Sequence, residues 1–332
     1  MAGERYFAGA NTARGYEHFL DELRPAGARV CVLRGALGTG RHAVIARLAA
    51  EWEAAGREVT RYADPEDAGR LAAAVSGDWA VVDGAAPHRV ETRPGDMAVD
   101  LSAALRPAEL ADCRETADAL HRRMRDLRQR TYRCLRAADA AREDAAAILS
   151  EAVDAGAVYN LRLTLSRWLE GGPGGRRRVF DHAVTADGVT AAAETPDRPY
   201  VAQLSLPWGY DMDGLLYPLA VGLHVHGIGC TASMQLLDGG KLEGLRTDTH
   251  AIVNQTAEET GEYALKFDSA VLRREQQTLR FDRAAYDLWL HQAVETLREA
   301  REVRDSLERL IADTADRDKL AEMAARANGM FR

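Results

Sequence analysis

The sequence is poor in the features that mark exported, membrane-spanning or disulfide-bonded proteins. Its 332 residues include four cysteines, none in C-x-x-C spacing: Cys31, Cys113, Cys134 and Cys230. No apolar run approaches the length of about 18 residues that a membrane span needs, and the N-terminal MAGERYFAGA lacks a signal-peptide pattern. We therefore expect reduced thiols, a cytoplasmic location and no membrane partner.

An excess of basic charge is also absent. The chain carries 43 Lys and Arg against 51 Asp and Glu, which gives a formal net charge of -8 and a pI near 5.7. This balance argues against a surface built for nucleic acid, although a nucleotide pocket does not require a positive net charge. With 46% hydrophobic and 28% charged residues, the chain has a globular composition and the length of two domains.

What the sequence does contain is a glycine-rich stretch, GALGTGRH, at residues 35–42. It follows the phosphate-loop pattern G-x-x-x-x-G-K-[ST] at both glycines, but Arg41 and His42 replace the lysine and the hydroxyl residue. The β-type run RVCVLR precedes it, and the helical pattern HAVIARLAAEWEAAG follows. This order predicts a nucleotide-binding loop formed by Gly35, Gly38, Thr39, Gly40, Arg41 and His42.

A strand ending in an acidic residue accompanies the loop. The run DWAVVDG, at residues 78–84, predicts a strand that ends at Asp83, and REVTRY, at residues 57–62, predicts another. A carboxylate at a strand end beside a phosphate loop can support Mg²⁺, so we expect Asp83 to be a Mg²⁺ ligand if nucleotide binds. Glycine-rich turns also join strands to helices without binding a ligand, and that alternative stays open.

The first half of the sequence recurs in the second half. Three segments repeat in the same order, 171 or 173 residues later: FAGANTARG (7–15) as FDHAVTADG (180–188), RVCVL (29–33) as YVAQL (200–204), and AVVDG (80–84) as AIVNQ (251–255). Three ordered matches at nearly one offset predict two copies of one domain.

The second copy has lost the nucleotide motifs. Its loop, LPWGYDMD at residues 206–213, retains only Gly209 of the pattern, and Asn254 stands where the first copy has its strand-end aspartate. Asp211 and Asp213 add negative charge at a helix start, which suits the helix dipole but repels a triphosphate. We expect this copy to serve packing and to provide a surface.

Each copy ends in a long stretch without Gly or Pro, at residues 108–155 and 262–328. Apolar residues three and four apart predict long helices that form hairpins or pair with each other, and that offer a surface to an unknown protein partner. An arginine-rich run at residues 121–136 lies among acidic residues, so we expect internal ion pairs rather than nucleic-acid binding.

The predicted fold is therefore α/β, with two tandem P-loop NTPase-like cores that contain parallel sheets and are each followed by long helices. The run EGGPGGRRR predicts a linker between the two cores. The predicted boundaries are 1–170 for the first domain, 171–177 for the linker and 178–332 for the second domain.

These motifs together resemble an uncharacterised bacterial family of tandem P-loop ATPase-like proteins. The resemblance covers nearly the whole chain and rests on the segments RYFAGANTARG, GALGTGRH, VVDGAAPH, RPGDMAVDL and VFDHAVTADG. The family loop reads like G-x-P-G-T-G-K-S, so the residues that match are Gly35, Gly38, Thr39 and Gly40, whereas Arg41 and His42 depart. The strand-end segment matches at Asp83, Pro87 and His88. The resemblance implies an ATP-binding fold and brings no substrate or partner.

The two departures predict binding without efficient hydrolysis. Arginine can still pair with phosphate, in a geometry different from that of lysine, whereas imidazole is a poor ligand for Mg²⁺. Gly84 follows Asp83 where many ATPases keep a glutamate, so His88 or a residue of the other copy would have to orient water. We expect weak ATP binding at one site, with a regulatory role. The alternatives are a pseudo-NTPase interaction scaffold and a slow ATPase.

Overall fold

The computed structural model describes residues 3–24, 27–192, 198–255 and 263–331, and within them the protein is mixed α/β. The elements of the first half are β1 (Arg5–Phe7), β2 (Gly9–Thr12), β3 (Gly15–His18), β4 (Arg29–Arg34), α1 (Arg41–Ala54), β5 (Thr60–Asp64), β6 (Asp67–Ser76), β7 (Trp79–Asp83), β8 (Met97–Asp100), α2 (Pro107–Ala152) and α3 (Ala155–Trp168). Those of the second half are β9 (Arg176–Val179), β10 (His182–Thr185), β11 (Gly188–Ala191), β12 (Tyr200–Ser205), α4 (Asp213–Val225), β13 (Cys230–Gln235), β14 (Asp238–Arg246), β15 (His250–Gln255), β16 (Tyr263–Ala264), α5 (Ser269–Arg274), α6 (Gln276–Ala312) and α7 (Arg317–Gly329).

The two halves form six-stranded sheets of one topology. The first has the order β1-β5-β6-β7-β4-β8, and the second has the order β9-β13-β14-β15-β12-β16. The equivalent central pairs have equivalent registers, because Arg29 of β4 lies opposite Trp79 of β7, and Tyr200 of β12 lies opposite His250 of β15. The structure therefore contains two tandem sheet cores, as predicted.

The prediction of parallel sheets was wrong, because both sheets are mixed. β6 runs antiparallel to β5 and β7, and β14 runs antiparallel to β13 and β15. Two residues connect β5 to β6, and two connect β13 to β14. Such short connections permit a hairpin only, since a parallel crossover needs a dozen or more residues.

The predicted long helices pair with each other. α2 runs for 46 residues with its proline in the first turn, and α6 runs for 37 residues. Their apolar seam contains Ala117, Met124 and Leu127 of α2, and Val303 and Leu307 of α6. The arginine-rich run is paired in part, since Arg128 donates two hydrogen bonds to the Glu66 carboxylate. No helix of the described residues is both long and apolar enough to cross a membrane.

The helices that follow this pair are exchanged between the two cores. α3, from the first half, packs against α4, where Leu165 and Leu219 share one apolar core. α7, from the second half, packs against α1, and the rings of Trp52 and Phe331 lie 4.9 Å apart. β9 begins at Arg176, inside the linker predicted at residues 171–177, so the end of that segment belongs to the second sheet.

Two hairpins join the cores at their centre. The hairpin of β2 and β3 contacts that of β10 and β11, where Asn11 Nδ2 donates to the Val184 carbonyl at 3.3 Å. Beside them, the Phe7 N–H donates to the Phe180 carbonyl at 2.9 Å. The rings of Phe19 and Phe180 stack at 5.2 Å. Buried contacts of this kind hold the two sheets together as one packed body.

Candidate functional site

The glycine-rich loop connects β4 to α1, and its three glycines have positive φ values that residues with a side chain rarely adopt. Gly35, Gly38 and Gly40 have φ values of 140°, 84° and 77°. Within the described residues, no side chain caps α1 and its first turn contains no acidic residue. The first-turn N–H groups of α1 therefore remain available to an anion.

Two residues that were predicted to contact nucleotide form hydrogen bonds within the loop instead. Thr39 is buried and its hydroxyl donates to the Ala36 carbonyl at 2.7 Å. Arg41 is 4% exposed, and its Nη1 donates to the same carbonyl at 2.7 Å and to the Gly35 carbonyl. The Gly35 and Ala36 carbonyls thus accept hydrogen bonds from the Arg41 guanidinium group, and these bonds hold the loop closed around Arg41.

Arg41 also forms a buried ion pair with Asp83. Its Nε lies 2.9 Å and 3.0 Å from the two carboxylate oxygens, and Asp83 is 1% exposed. The Ala85 N–H donates a further hydrogen bond of 2.9 Å to Asp83 Oδ1. The structure thus places the predicted loop cation next to the predicted strand-end carboxylate, and the two side chains form an ion pair with each other.

The residues present do not suit Mg²⁺. Both Asp83 oxygens face Arg41, and His42 stands where a hydroxyl ligand would be. Within the described residues, no group of three or more His, Cys, Asp and Glu side chains is placed to hold a metal ion. Magnesium at Asp83 stays a prediction, and the donor set argues against it.

A second buried polar cluster lies beside the ion pair. His42 Nδ1 donates to the Leu71 carbonyl at 2.9 Å, and its Nε2 lies 3.8 Å from Asp64 Oδ2. His88 Nε2 lies 3.9 Å from the same oxygen, and His88 Nδ1 is hydrogen-bonded to the Tyr16 hydroxyl at 2.6 Å. His42 is therefore half-buried and hydrogen-bonded within the protein. The cluster connects the β2–β3 hairpin to the first turn of α1.

Burial and charge compete in this cluster. Burial raises the pKa of Asp64, but His88 and His42 outweigh it and leave that pKa well below its usual range. Burial lowers the pKa of His88, but the Asp64 carboxylate outweighs it and leaves that pKa above its usual value. His88 and Asp64 thus each favour the charged form of the other.

An open cleft of about 790 Å³ begins at the loop. Its walls are the loop, α1, β6 and the C-terminal end of α6. A Cβ atom added at Gly38 would lie 2.4 Å from the Glu308 carbonyl oxygen and 3.0 Å from the Ala312 nitrogen. The backbone of α6, from the second half, thus lies directly on the loop of the first half.

The equivalent loop of the second half, at residues 206–213, is also packed under a long helix, but its polar residues differ. Gly209 has φ 88°, and a Cβ atom there would lie 2.9 Å from the Ala145 Cβ of α2. Asp211 pairs with Lys241 Nζ at 2.8 Å, and Asp213 Oδ1 accepts the Leu242 N–H at 3.0 Å. The carboxylates predicted to repel a triphosphate are thus occupied by protein donors.

Sequence reasoning missed Asp64 and Tyr16. Asp64 ends β5, which continues two residues beyond the predicted strand at 57–62. An acidic residue at the carboxyl end of a strand was the available signal, and it had been used for Asp83 only. Tyr16 gave no signal, because the hairpin of β2 and β3 was not predicted.

Comparisons of the chain with protein-family models, with curated proteins and with solved structures gave no match. The resemblance to tandem P-loop proteins therefore stays a prediction. The geometry of the loop and cleft is the basis on which a function can be inferred.

Proposed function

We propose that the first half binds the phosphates of a nucleotide, with ATP as the expected ligand, where the loop meets α1. The observation that carries this proposal is the uncapped N-terminus of α1, which follows Gly35, Gly38 and Gly40 and opens on a cleft of about 790 Å³. Backbone N–H groups and the helix dipole favour an anion there, and a cleft of this volume accommodates a nucleotide. The expected role is regulatory.

The buried ion pair shapes the expected chemistry. Because Asp83 is neutralised by Arg41, binding should not require Mg²⁺. Hydrolysis should be slow, since the residue after Asp83 is a glycine and His88 is buried against Tyr16 and Asp64. The site is thus expected to hold nucleotide rather than to turn it over.

Calorimetric titration with ATP and with GTP, each with and without Mg²⁺, tests the proposal. We expect weak saturable binding of ATP that is equal in the two conditions. An absence of saturable binding would contradict the proposal. Phosphate release above that of a heat-denatured control would instead support a slow ATPase.

Restoring the standard loop residues should strengthen binding. Arg41→Lys with His42→Ser supplies a compact cation and a hydroxyl, so affinity should rise about ten- to a hundredfold and become Mg²⁺-dependent. Fluorescent-nucleotide binding of the double variant, both single variants and Arg47→Lys checks this, because Arg47 is an exposed arginine of the same helix. An unchanged affinity in the double variant would show that the loop cannot cradle phosphate.

A second candidate function is an interaction scaffold that binds no nucleotide. The observation that favours it is that the backbone of α6 packs directly against Gly38, which gives the loop a packing role. Arg41 has a structural role as well, since it fills the loop and pairs with Asp83. The titration separates the two candidates, because a scaffold leaves ATP unbound in both conditions.

A further inference from the structure

We infer that the groove between α3 and α4 binds a helix of a partner protein, whose apolar side chains fill the groove and whose flanking side chains are acidic. The groove lies on the second core and shares no lining residue with the cleft at the glycine-rich loop. The inference therefore goes beyond the proposed function and does not depend on nucleotide binding.

The outer face of α4 is apolar although it is exposed. The helix has the sequence DGLLYPLAVGLHV, and Asp213, its only charged residue, accepts the Leu242 N–H. Tyr217, Val221 and Val225 follow one another at four-residue spacing and are 50%, 38% and 73% exposed. The opposite face is buried in the core and contains Leu215, Leu216, Leu219, Ala220 and Leu223. A helix that is apolar on both faces is normally covered on both.

The equivalent helix of the first half has an ordinary outer face. α1 follows β4 as α4 follows β12, and its exposed positions include Arg47 and Glu51, which form an ion pair at 3.6 Å. Its large apolar residues are all buried: Val44, Ile45, Leu48 and Trp52. The fold thus permits a charged surface at this position. The apolar surface of α4 belongs to this sequence and marks an interaction site.

α3 gives this surface the shape of a groove. Leu165 of α3 and Leu219 of α4 share the apolar core beneath it. Tyr159 and Leu163 of α3 are exposed above that core, and the cleft between the two helices has a volume of about 370 Å³. A Cβ atom added at Gly222 would have no heavy atom of the described residues within 4 Å, so the groove is open there. A concave apolar surface between two helices is suited to a third helix.

The charge of the groove is positive. Among its described lining residues, Arg162 is the only Asp, Glu, Lys or Arg, and its Cζ lies 5.7 Å from the centroid of the Tyr159 ring. α3 also carries Arg167 and contains no acidic residue. Since like charges across an interface are unfavourable and opposite charges select the partner, the flanks of the bound helix should be acidic.

The size and charge of this surface favour a single helix over a second copy or a membrane. Two helices of this length side by side present a face of roughly 400 Å², whereas each partner of a standard interface buries about 800 Å². Recognition of an anionic membrane takes a cluster of about four to eight basic residues. This face has only the two arginines of α3, and α4 contributes none.

The probes are two synthetic peptides with the same leucine stripe at helical spacing. One has glutamates beside the stripe and the other has lysines, and each carries a fluorescent label. Fluorescence anisotropy against the full chain should show saturable, micromolar binding of the glutamate peptide. The lysine peptide should bind about tenfold more weakly or not at all.

Three variants locate the binding. Gly222→Gln places a long polar side chain in the groove without a clash and should weaken the glutamate peptide by about tenfold or more. Gly214→Gln is the matched control and should bind as wild type, because Gly214 also has open space around it but does not line the groove. Arg162→Glu should exchange the preference, so that the lysine peptide binds more tightly than the glutamate peptide. Thermal unfolding within a few degrees of wild type confirms that folded proteins are compared.

Several outcomes would overturn the inference. These are an absence of saturable binding, equal affinity for the two peptides, or equal effects of Gly222→Gln and Gly214→Gln. Sedimentation that shows a dimer dissociated by Gly222→Gln would assign the groove to a second copy. Loss of binding to phosphatidylserine-containing vesicles in the same variant would assign it to a membrane. ATP titration of Gly222→Gln should match that of wild type, which keeps this test separate from that of the proposed function.

Discussion

The two halves have the same architecture and different polar residues. Each has a six-stranded mixed sheet, and each places a loop glycine under a long helix of the other half. The first half buries Asp83 at the end of β7, whereas the second half has Asn254 at an exposed position of β15. The two halves thus share the same packing, but the polar residues at equivalent positions differ.

This comparison gives the loop glycines a structural explanation. Gly209 lies in a loop without the nucleotide motif, yet it has nearly the φ of Gly38 and lies under a helix in the same way. A glycine at this point is therefore required by helix packing alone. Evidence for nucleotide binding in the first half has to come from the uncapped start of α1, whose first turn contains no acidic residue, and from the cleft beside it.

The largest expected difference between the halves is the cost of changing the strand-end residue. Asp83→Asn would leave Arg41 buried without its carboxylate, and loss of one partner of a buried pair costs about 3–5 kcal/mol. Asn254→Asp adds a charge at an exposed position and should change the free energy of unfolding by less than about 0.5 kcal/mol. Urea unfolding of both variants measures this, and equal costs would contradict the buried pair.

The next effect concerns the covered glycines. Gly38→Ala adds a Cβ against the backbone of α6 at a positive φ, so it should destabilise the fold by about 2–4 kcal/mol. Gly209→Ala meets a side-chain carbon at 2.9 Å and should cost somewhat less. Gly40→Ala is the control, because its φ is also positive but nothing lies within 4 Å. A cost of about 1 kcal/mol is expected there, and an equal cost at Gly38 would exclude close helix packing.

The smallest expected effect on stability concerns the polar cluster of the first half, formed by Asp64, His88, His42 and Tyr16. His88→Gln should lower the free energy of unfolding by about 1–3 kcal/mol at pH 6, because the cluster loses a charged donor. In the wild type the pKa of His88 lies above its ordinary 6.5, so its charge stabilises the fold below pH 6.5. That stabilisation is lost as the pH rises through the raised pKa.

Asp64 acts at the other end of the pH range. Its pKa lies below the ordinary 3.8, so its contribution is present above pH 3.8 and is lost as the pH falls through the lowered value. Urea unfolding of wild type and His88→Gln between pH 5 and pH 9 checks the sign for His88, and unfolding of the wild type between pH 2 and pH 5 checks the sign for Asp64. Parallel curves for the two proteins would show that His88 does not carry the charge.

The sequence predicted the elements with strong local patterns. β4 coincides with the run RVCVLR, and α2 follows the stretch without Gly or Pro from its first residues to Ala152. β6 was not predicted, because its alanine-rich sequence DAGRLAAAVS has no clear strand pattern and is held in the sheet by β5 and β7. Its direction also decided that the sheet is mixed.

The site was predicted in part for the same reason. The loop residues and Asp83 are neighbours in a local motif, so spacing could identify them. The pairing of Arg41 with Asp83 depends on the register in which β4 pairs with β7. Asp64 of β5 and Glu308 of α6 come to the loop from distant parts of the chain, and contacts between distant segments leave no local signal.

The exchange of α3 and α7 also sets the order in which the chain can complete its folding during synthesis. The second core is continuous from α3 to β16, so it can close as soon as Ala264 has left the ribosome. The first core has its sheet complete by Asp100 and α1 packs on β6 and β7, but the part of α1 around Trp52 stays uncovered until Phe331 arrives. The part of the chain made first is therefore the last to be finished, and the apolar surface around Trp52 is the part of the nascent first core that is exposed longest to aggregation.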